Sequence, residues 1–304
     1  MRYVFLVALF VTWYALHGQQ IADTSYSPVI LDPVYNTGRG PVVYIDEAHH
    51  NFHTKDGRYQ AFAKLLERDG YQVQANAVNF TEKSLSQCNI LVISNALNER
   101  NVEDWFLPTP SAFTTLEIQA VRSWVASGGS LFLIADHMPM AGAAHDLAAV
   151  FGFEFTNGFV FDTTSQGPII FSVEDRTLHE SIVTGGRNVH ETVDHVATFT
   201  GQGFNIPEDA TPVLTFGGHC INALPDTAWV FDNSTVRMPA TGFSQGAYKR
   251  YGNGRVAAFG EAAMFTAQLA GPNGVKTGMN QEIANQNFQF LLNLIHWLDG
   301  VLDE

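Results

Sequence analysis

The sequence predicts an α/β fold built on a doubly wound, mostly parallel β-sheet, followed by a β-rich C-terminal elaboration. Two observations predict it. Over residues 41–135, short apolar runs alternate with segments in which apolar residues recur at helical spacing. Between residues 153 and 258 the pattern changes to many short β-like runs separated by glycines. Because no repeat or internal linker is visible, we predict one domain over residues 40–304.

The strands and helices of the first half follow directly from this alternation. An apolar run that ends in a carboxylate is typical of a buried parallel strand whose carboxyl end opens onto a site. Glycines end both predicted helices, at Gly70 and at Gly128-Gly129. The predicted strands cover residues 41–46, 71–78, 89–94 and 130–135, and the predicted helices cover residues 59–66 and 115–127.

The second half predicts a hairpin and a final helix. The segment 248–259 carries Gly252-Asn253-Gly254 between two strand-like runs, which is typical of a β-hairpin. A helix is predicted over residues 281–298, because its apolar residues recur on one face. We expect this face to cover the sheet.

Composition and charge limit the classes of ligand. The 304 residues are 46% hydrophobic and 15% charged, so the chain can bury a large core. The formal net charge of -14 disfavours binding to nucleic acid or anionic lipid, since both depend on clustered Lys and Arg. A small polar or carbohydrate-like ligand, or a metal, fits this charge better.

Cys88 and Cys220 lie in apolar runs, and we expect both thiols to be buried and unpaired.

The N-terminus has the layout of a signal peptide. Arg2 supplies a positive end, residues 3–16 are uncharged and mostly apolar, and small or polar residues follow at 18–20. We therefore predict a signal peptide over residues 1–19, export to the periplasm or the extracellular space, and no stable membrane insertion after cleavage. Retention of the segment as an anchor is the alternative. Residues 20–39 are predicted to be an extended lead-in.

Polar residues follow four of the apolar strands at the point where each strand ends. In open α/β sheets the ligand crevice lies outside the carboxyl ends of the strands, so distant segments can converge there. We expect one site to be formed at this edge. The polar segments are 46–53, 94–95, 136–137 and 260–261.

The segment 46–53 contains two carboxylates and three imidazoles, the residue types that bind zinc or manganese. We predict His49, His53 and Asp136 as metal ligands. The alternative is that these histidines cap the following helix or bond within the loop. We further predict that Asp46, Asn51 and Asn95 bind the ligand.

Asp136 and His137 are predicted on a tight turn between a strand and a helix. The glycine-flanked serine or cysteine of a nucleophile elbow is absent from this turn, which disfavours covalent acyl chemistry. We predict Asp136, His137 and Glu261 as catalytic residues, with Glu261 as general acid or base. As alternatives, Asp136 would cap the next helix, and Glu261 would stabilise the beginning of another.

Three segments resemble an uncharacterised bacterial family of class I glutamine amidotransferase-like domains. This family stands near the trehalose-utilisation-like proteins and the domains shared by gliding-motility and intraflagellar-transport proteins. The resemblance covers residues 40–299 and implies a flavodoxin-like sheet. The family's cysteine nucleophile is replaced here by Asp136-His137, so we do not expect glutamine hydrolysis through a thioester. The three segments are 40–49, 128–137 and 254–265.

Three functions remain open from the sequence. The first is a metal-dependent hydrolase or lyase that acts on a carbohydrate-like or other small polar substrate. The second is a non-catalytic module that binds a sugar or another ligand in the same crevice. The third is an assembly scaffold in which these residues only support the fold.

Overall fold

The structure is a computed structural model, and it describes residues 20–303. The predicted signal peptide lies outside the described residues. Within residues 20–303, no helix is both long enough and apolar enough to cross a membrane.

The strands within this range are short and most of them lie in the second half of the chain. In chain order they are β1 (Gln20–Ala22), β2 (Val42–Asp46), β3 (Gln72–Asn76), β4 (Ile90–Ser94), β5 (Ser130–Ile134), β6 (Glu154–Phe155), β7 (Phe159–Asp162), β8 (Ile169–Ser172), β9 (His195–Thr198), β10 (Phe204–Asn205), β11 (Thr211–Thr215), β12 (Cys220–Leu224), β13 (Val236–Pro239), β14 (Ser244–Tyr251), β15 (Gly254–Phe259), β16 (Ala267–Ala270) and β17 (Val275–Gly278).

The helices are fewer, and most of them belong to the first half. They are α1 (Gln60–Arg68), α2 (Glu82–Leu85), α3 (Thr115–Ala126), α4 (Met140–Ala149), α5 (Ile182–Gly185) and α6 (Asn287–Asp299). Short 3-10 turns occupy Glu99–Asn101, Val189–Glu191, Ala263–Phe265 and Glu282–Ala284.

One large mixed sheet organises the chain. Its order is β3-β2-β4-β5-β15-β14-β10-β6, and β11 also pairs with β14. The first five strands of this order run parallel, and the remaining strands pair antiparallel. Smaller antiparallel sheets are formed by β13-β12-β7, by β8-β9 and by β1-β16-β17. The predicted α/β class, the mostly parallel sheet and the added antiparallel sheets are confirmed.

Helices cover both faces of the parallel strands, because the side chains of each strand alternate between two cores. Phe132 and Ile134 of β5 pack in the core that also holds apolar residues of α1 and α6. Leu131 and Leu133 of the same strand point to the core that holds residues of α3 and α4. Both faces of the central strands β4 and β5 are therefore buried, which explains why these strands are mostly apolar, whereas the edge strand β3 has exposed glutamines.

The final helix begins later than its apolar spacing predicts. The 3-10 turn Glu282–Ala284 precedes it, and α6 starts at Asn287. The side chains of Gln286 and Asn287 bond to the backbone of β9 at His195 and Ala197, and Gln286 also bonds to Asp194, the residue before β9. These bonds hold the chain against β9 at this point, and the regular helix continues from there.

The two cysteines are free and buried, as predicted. Burial raises the pKa of the Cys88 thiol to about 12 and that of the Cys220 thiol to about 11. Both thiols therefore stay protonated near neutral pH, and neither is suited to act as a nucleophile.

A buried asparagine joins α6 to two other parts of the fold. The Asn287 amide accepts a bond from the Ala197 backbone N–H at 3.0 Å and donates to the carbonyls of Ala197 and Met264 at 2.8 and 3.0 Å. We expect Asn287→Leu to lower the free energy of unfolding by about 3 kcal/mol, because it leaves buried backbone groups without partners. Urea denaturation measures this, with exposed Gln87→Leu as the control. A loss equal to that of the control would contradict it.

Candidate functional site

Four neighbouring parallel strands present their carboxyl ends to one edge of the sheet. Asp46 is the last residue of β2, and Asn95 follows β4 directly. Asp136 follows β5 after one residue, and Glu261 follows β15 after Gly260. Because β2, β4, β5 and β15 are adjacent, the polar segments that follow them lie on the same edge.

Asp136 is the centre of this edge. Its Oδ2 accepts a hydrogen bond from Asn95 Nδ2 at 2.8 Å, and its backbone N–H donates to Asn95 Oδ1 at 2.8 Å. Its Oδ1 accepts a bond from the backbone N–H of Ala262. Asn95 has a positive φ of 50°, a conformation that asparagine tolerates better than most residues. The side chains thereby connect the ends of β4, β5 and β15.

Glu261 lies beside this centre but is fully buried. Its Oε1 accepts the backbone N–H of Ala263 at 3.0 Å, and its Oε2 accepts that of Met264 at 2.7 Å. The carboxyl group therefore caps the 3-10 turn Ala263–Phe265, which was the alternative drawn from the sequence. Burial, followed by the charge of Asp136, raises the pKa of Glu261 well above its usual range.

Asp136 combines partial solvent contact with an unusual pKa. The side chain is half-buried, whereas Glu261 is sealed from solvent. Burial raises the pKa of Asp136 to about 7, although the hydrogen bonds from Asn95 and Ala262 oppose the rise. A carboxyl group with this pKa exchanges protons readily near neutral pH.

His137 supplies a basic nitrogen next to Asp136. Its Nδ1 lies 2.6 Å from the carbonyl oxygen of Met138, so Nδ1 carries the proton and donates it. Burial lowers the pKa of His137 to about 4, and the ring is neutral at pH 7. Within residues 20–303, Nε2 has no hydrogen-bond partner. This nitrogen is therefore available as a proton acceptor.

Aromatic rings surround the His137 imidazole. The ring stacks on Phe159 with a centroid distance of 4.1 Å and an interplanar angle of 13°. Trp229 meets it edge-on at 4.8 Å, and Trp105 lies at 6.2 Å. The two tryptophans come from loops that are joined by a backbone bond from Ala228 to Trp105 at 2.8 Å. Trp229 remains 52% exposed, so it presents an indole surface next to the polar centre.

The loop after β2 lies over the same strand ends. Asn51 accepts the backbone N–H of His49 at 3.0 Å, and its Nδ2 donates to the carbonyl of Ser94 at 3.4 Å. The backbone N–H of Phe52 donates to the carbonyl of Asn95 at 2.9 Å. Asn51 is thus bound to the loop and to β4, and it positions the loop at the edge.

His49 is clamped between two carboxylates. Its Nδ1 lies 2.8 Å from Asp46 Oδ2 and its Nε2 lies 3.0 Å from Glu117 Oε1, and all three side chains are buried. Burial alone would lower the pKa of His49, but the hydrogen bonds and charges of Asp46 and Glu117 outweigh it and raise the pKa. The group ties the loop to the beginning of α3.

The structure does not assemble the predicted metal ligands. Both ring nitrogens of His49 are taken by Asp46 and Glu117. His53 packs on Tyr59 with ring centroids 4.7 Å apart, and burial lowers its pKa to about 3. In the part of the chain that the structure describes, no three His, Cys, Asp or Glu side chains are arranged to hold a metal ion. The contacts of His49 and Asp136 give the physical reason, since each has its own partners.

Some residues of this edge are absent from the sequence prediction. Glu117 stands three residues after Thr114, a spacing that predicts a capping box, and the structure forms that box. Its second contact, with His49, has no local sequence signal. Trp105 and Trp229 lie on loops that meet only in the folded chain, so their position beside His137 could not be predicted either.

Comparison with known proteins identifies the fold. No family model matches the sequence, and no curated protein matches it. Among solved structures, the N-terminal domain of mmIFT52 is similar with a TM-score of 0.60 and 13% identity, over 84% of this chain and 97% of that one. A cytoplasmic protein from Salmonella typhimurium has a TM-score of 0.51 and 14% identity, over 85% and 98%. At these identities the likeness shows a shared α/β fold.

The solved structures that match this chain also include a thua-like protein from Bacteroides uniformis. Its TM-score is 0.48 at 13% identity, over 87% of this chain and 94% of that chain.

The clamp around His49 should control stability in a pH-dependent way. We expect His49→Gln to lower the free energy of unfolding by about 3 kcal/mol near pH 6, because it removes a charged partner from two buried carboxylates. Because the pKa of His49 is higher in the folded than in the unfolded state, protonated His49 stabilises the fold at a pH below its pKa in the unfolded state. This stabilisation is lost as the pH rises through the pKa of His49 in the folded state. The cost of the substitution should therefore be smaller near pH 9. Denaturant unfolding at both pH values tests this, and a pH-independent cost would contradict it.

The pKa of Asp136 should make the fold less stable as the pH rises. Because the carboxyl pKa rises from 3.8 to about 7 on folding, the folded state is most stable at low pH. This stabilisation, at most about 4 kcal/mol, is lost as the pH rises through 7. We expect the decline in unfolding free energy between about pH 5 and pH 8 to be smaller in Asp136→Asn than in the unchanged protein. Equal declines in both would show that Asp136 titrates normally.

Proposed function

We propose that the protein is a hydrolase or lyase that acts by proton transfer on a small, polar, carbohydrate-like substrate. The observation that carries the proposal is the half-buried Asp136 carboxyl group, whose pKa of about 7 is matched to acid and base catalysis near neutral pH. Perturbed titratable groups of this kind cluster at functional sites. The neutral His137, with Nε2 free among the described residues, stands next to it.

The two groups complement each other in one reaction. His137 Nε2 accepts a proton, from an attacking water in a hydrolysis or from a C–H group in an elimination. Protonated Asp136 donates a proton to the oxygen of the leaving group as its C–O bond breaks. Exchange with solvent then returns the proton from His137 to Asp136. In a hydrolysis the water oxygen bonds to the carbon as the C–O bond to the leaving group breaks, so one water is consumed. In an elimination the C–H electron pair forms a C=C bond as the leaving group departs. In both cases the leaving group is released as an alcohol, and both residues end as they began.

Glu261 is a positioning residue in this proposal. Both of its oxygens accept backbone N–H groups, and it has no solvent contact, so substrate does not reach it. Burial and the charge of Asp136 raise the pKa of Glu261, which makes a second negative charge beside Asp136 less favourable. By fixing the turn at Ala263, it also fixes the Ala262 N–H that bonds to Asp136.

The surrounding rings support a carbohydrate-like substrate. Sugars present apolar C–H faces together with hydroxyl groups, and aromatic side chains combine a large apolar surface with a polar edge. The half-exposed indole of Trp229 and the ring of Trp105 lie at the His137 imidazole, and they offer such a surface beside the polar centre.

A non-catalytic binding module is the second candidate, and one observation favours it. Each oxygen of Asp136 and of Glu261 already accepts a hydrogen bond from the protein. If the protein is a binding module, these carboxyl groups hold the strand ends together, and the aromatic surface binds a ligand without converting it.

The arrangement of the parallel strands supports a finer family assignment. We propose that the chain is a class I glutamine amidotransferase-like domain with a flavodoxin-like sheet, since four of its five parallel strands carry polar residues at one edge. We also propose that the protein is exported and that residues 1–19 are removed, because the sequence at that end has a signal-peptide layout.

A panel of p-nitrophenyl glycosides and neutral disaccharides tests the proposed reaction. We expect turnover of at least one of them, with a rate that changes around pH 7, and a loss of kcat of about 100-fold or more in Asp136→Asn. Asp146→Asn, an exposed carboxylate on α4, serves as the control and should leave kcat unchanged. Saturable binding of a sugar without turnover would favour the binding module. Full activity of Asp136→Asn would remove Asp136 from the mechanism.

A further inference from the structure

One arginine at this edge lacks the partner that its setting demands. Among the Lys and Arg residues in the described range 20–303, those that are buried or half-buried are Lys55, Arg58, Arg187, Lys249 and Arg255. Four of them form an ion pair with Asp or Glu, and Arg58 does not. The chain has 30 acidic and 16 basic residues, so acidic partners are plentiful. The exception therefore needs a physical explanation.

The contacts of Arg58 do not balance its charge. The guanidinium carbon lies 3.8 Å from the ring centroid of Phe52, and Nη1 donates to the Phe52 carbonyl at 3.1 Å. Nε is buried without a hydrogen-bond partner among the described residues. A cation–π contact is worth about 0.5–2 kcal/mol. Taking a charge fully out of water costs several kcal/mol, and the half-buried Arg58 incurs part of that cost. Arginine does not escape this cost by losing its proton.

A second unpartnered group lies next to it. His53 is only 3% exposed, and its Nδ1 is buried without a hydrogen-bond partner in the range that the structure describes. Its ring packs edge-on against Phe52 at 5.5 Å, the same ring that Arg58 covers. The charge of Arg58 contributes to the low pKa of His53, after burial, so the two groups are within electrostatic range. Two neighbouring side chains thus offer unsatisfied N–H positions.

Arg58 is connected to the proposed proton-transfer centre. It donates to the Phe52 carbonyl, the Phe52 N–H donates to the Asn95 carbonyl, and the Asn95 amide donates to Asp136. Phe52 also meets Trp105 edge-on at 5.7 Å, and Trp105 contacts His137. The guanidinium and Asp136 are therefore linked through Phe52 and Asn95.

We propose that Arg58, assisted by His53, forms a subsite for an anionic oxygen group of the substrate, a carboxylate or a phosphate. This inference rests on the proposed function for its location, because the anionic group would be carried by the substrate that Asp136 and His137 act on. Guanidinium groups bind carboxylate and phosphate through paired N–H donors. An acceptor at this position would satisfy Arg58 and the Nδ1–H tautomer of His53 together. The substrate would then be a sugar acid or a sugar phosphate, and a neutral sugar would lack this contact.

Calorimetric titration at constant ionic strength tests the subsite without any assay of activity. The probes are glucuronate, inorganic phosphate, glucose 6-phosphate and neutral glucose. We expect the unchanged protein to bind at least one anionic probe more tightly than glucose. Binding of glucuronate alone would identify a carboxylate subsite, and binding of the two phosphates would identify a phosphate subsite.

Variants assign the binding to Arg58. Arg58→Gln should weaken the anionic probe at least tenfold, since a charge-assisted hydrogen bond is worth about 1.5–3 kcal/mol. Arg58→Lys keeps the charge and should lose less. Arg122→Gln is the matched control, because Arg122 is an exposed arginine that bonds to the Tyr251 hydroxyl without an ion pair. Circular dichroism confirms that each variant is folded.

The outcomes separate this inference from the proposed function. Asp136→Asn should still bind the anionic probe. If the unchanged protein binds anions but turns over no substrate, the subsite stands and the proposed reaction is wrong. Absence of binding by every anionic probe would overturn the subsite, as would equal affinity for glucose and the anions. Unchanged affinity in a folded Arg58→Gln variant would also overturn it.

Discussion

The fold of this edge depends on the bond between Asn95 and Asp136. The two residues exchange two hydrogen bonds, and Asp136 continues the chain of bonds to the Ala262 backbone. Three parallel strand ends are thereby joined by side chains where the backbone ladder stops. Burial at this position raises the pKa of Asp136, and the hydrogen bonds that hold the strand ends together oppose that rise.

The loops that surround this bond are held by separate contacts. The loop after β2 is fixed by the His49 clamp between Asp46 and Glu117. The aromatic loops are fixed by the backbone bond between Ala228 and Trp105, and they enclose His137. Buried polar groups of this kind are stable only when their partners are present. The unpaired Arg58 departs from this rule, and that departure is what points to a ligand.

The parallel half of the sheet could be predicted closely because its signal is local. A strand such as β5 is apolar after its first residue, and it is followed by a carboxylate at the turn. The polar ends could also be placed on one edge, because parallel strands share direction. The beginning of α6 could not be predicted, since Asn287 and Gln286 are fixed by bonds to β9, a strand about 90 residues away in the chain.

The sequence by itself determined the α/β class, the order of strands and helices in the first half, and the choice of Asp136, His137 and Glu261 as residues of one edge. Periodicity and strand direction suffice for this. Only the tertiary structure decided the role of each group. Glu261 is sealed by backbone amides, His49 is held by two carboxylates, and Arg58 is left unpaired. Solvent contact and partners are set by segments distant in the chain, so no local pattern records them.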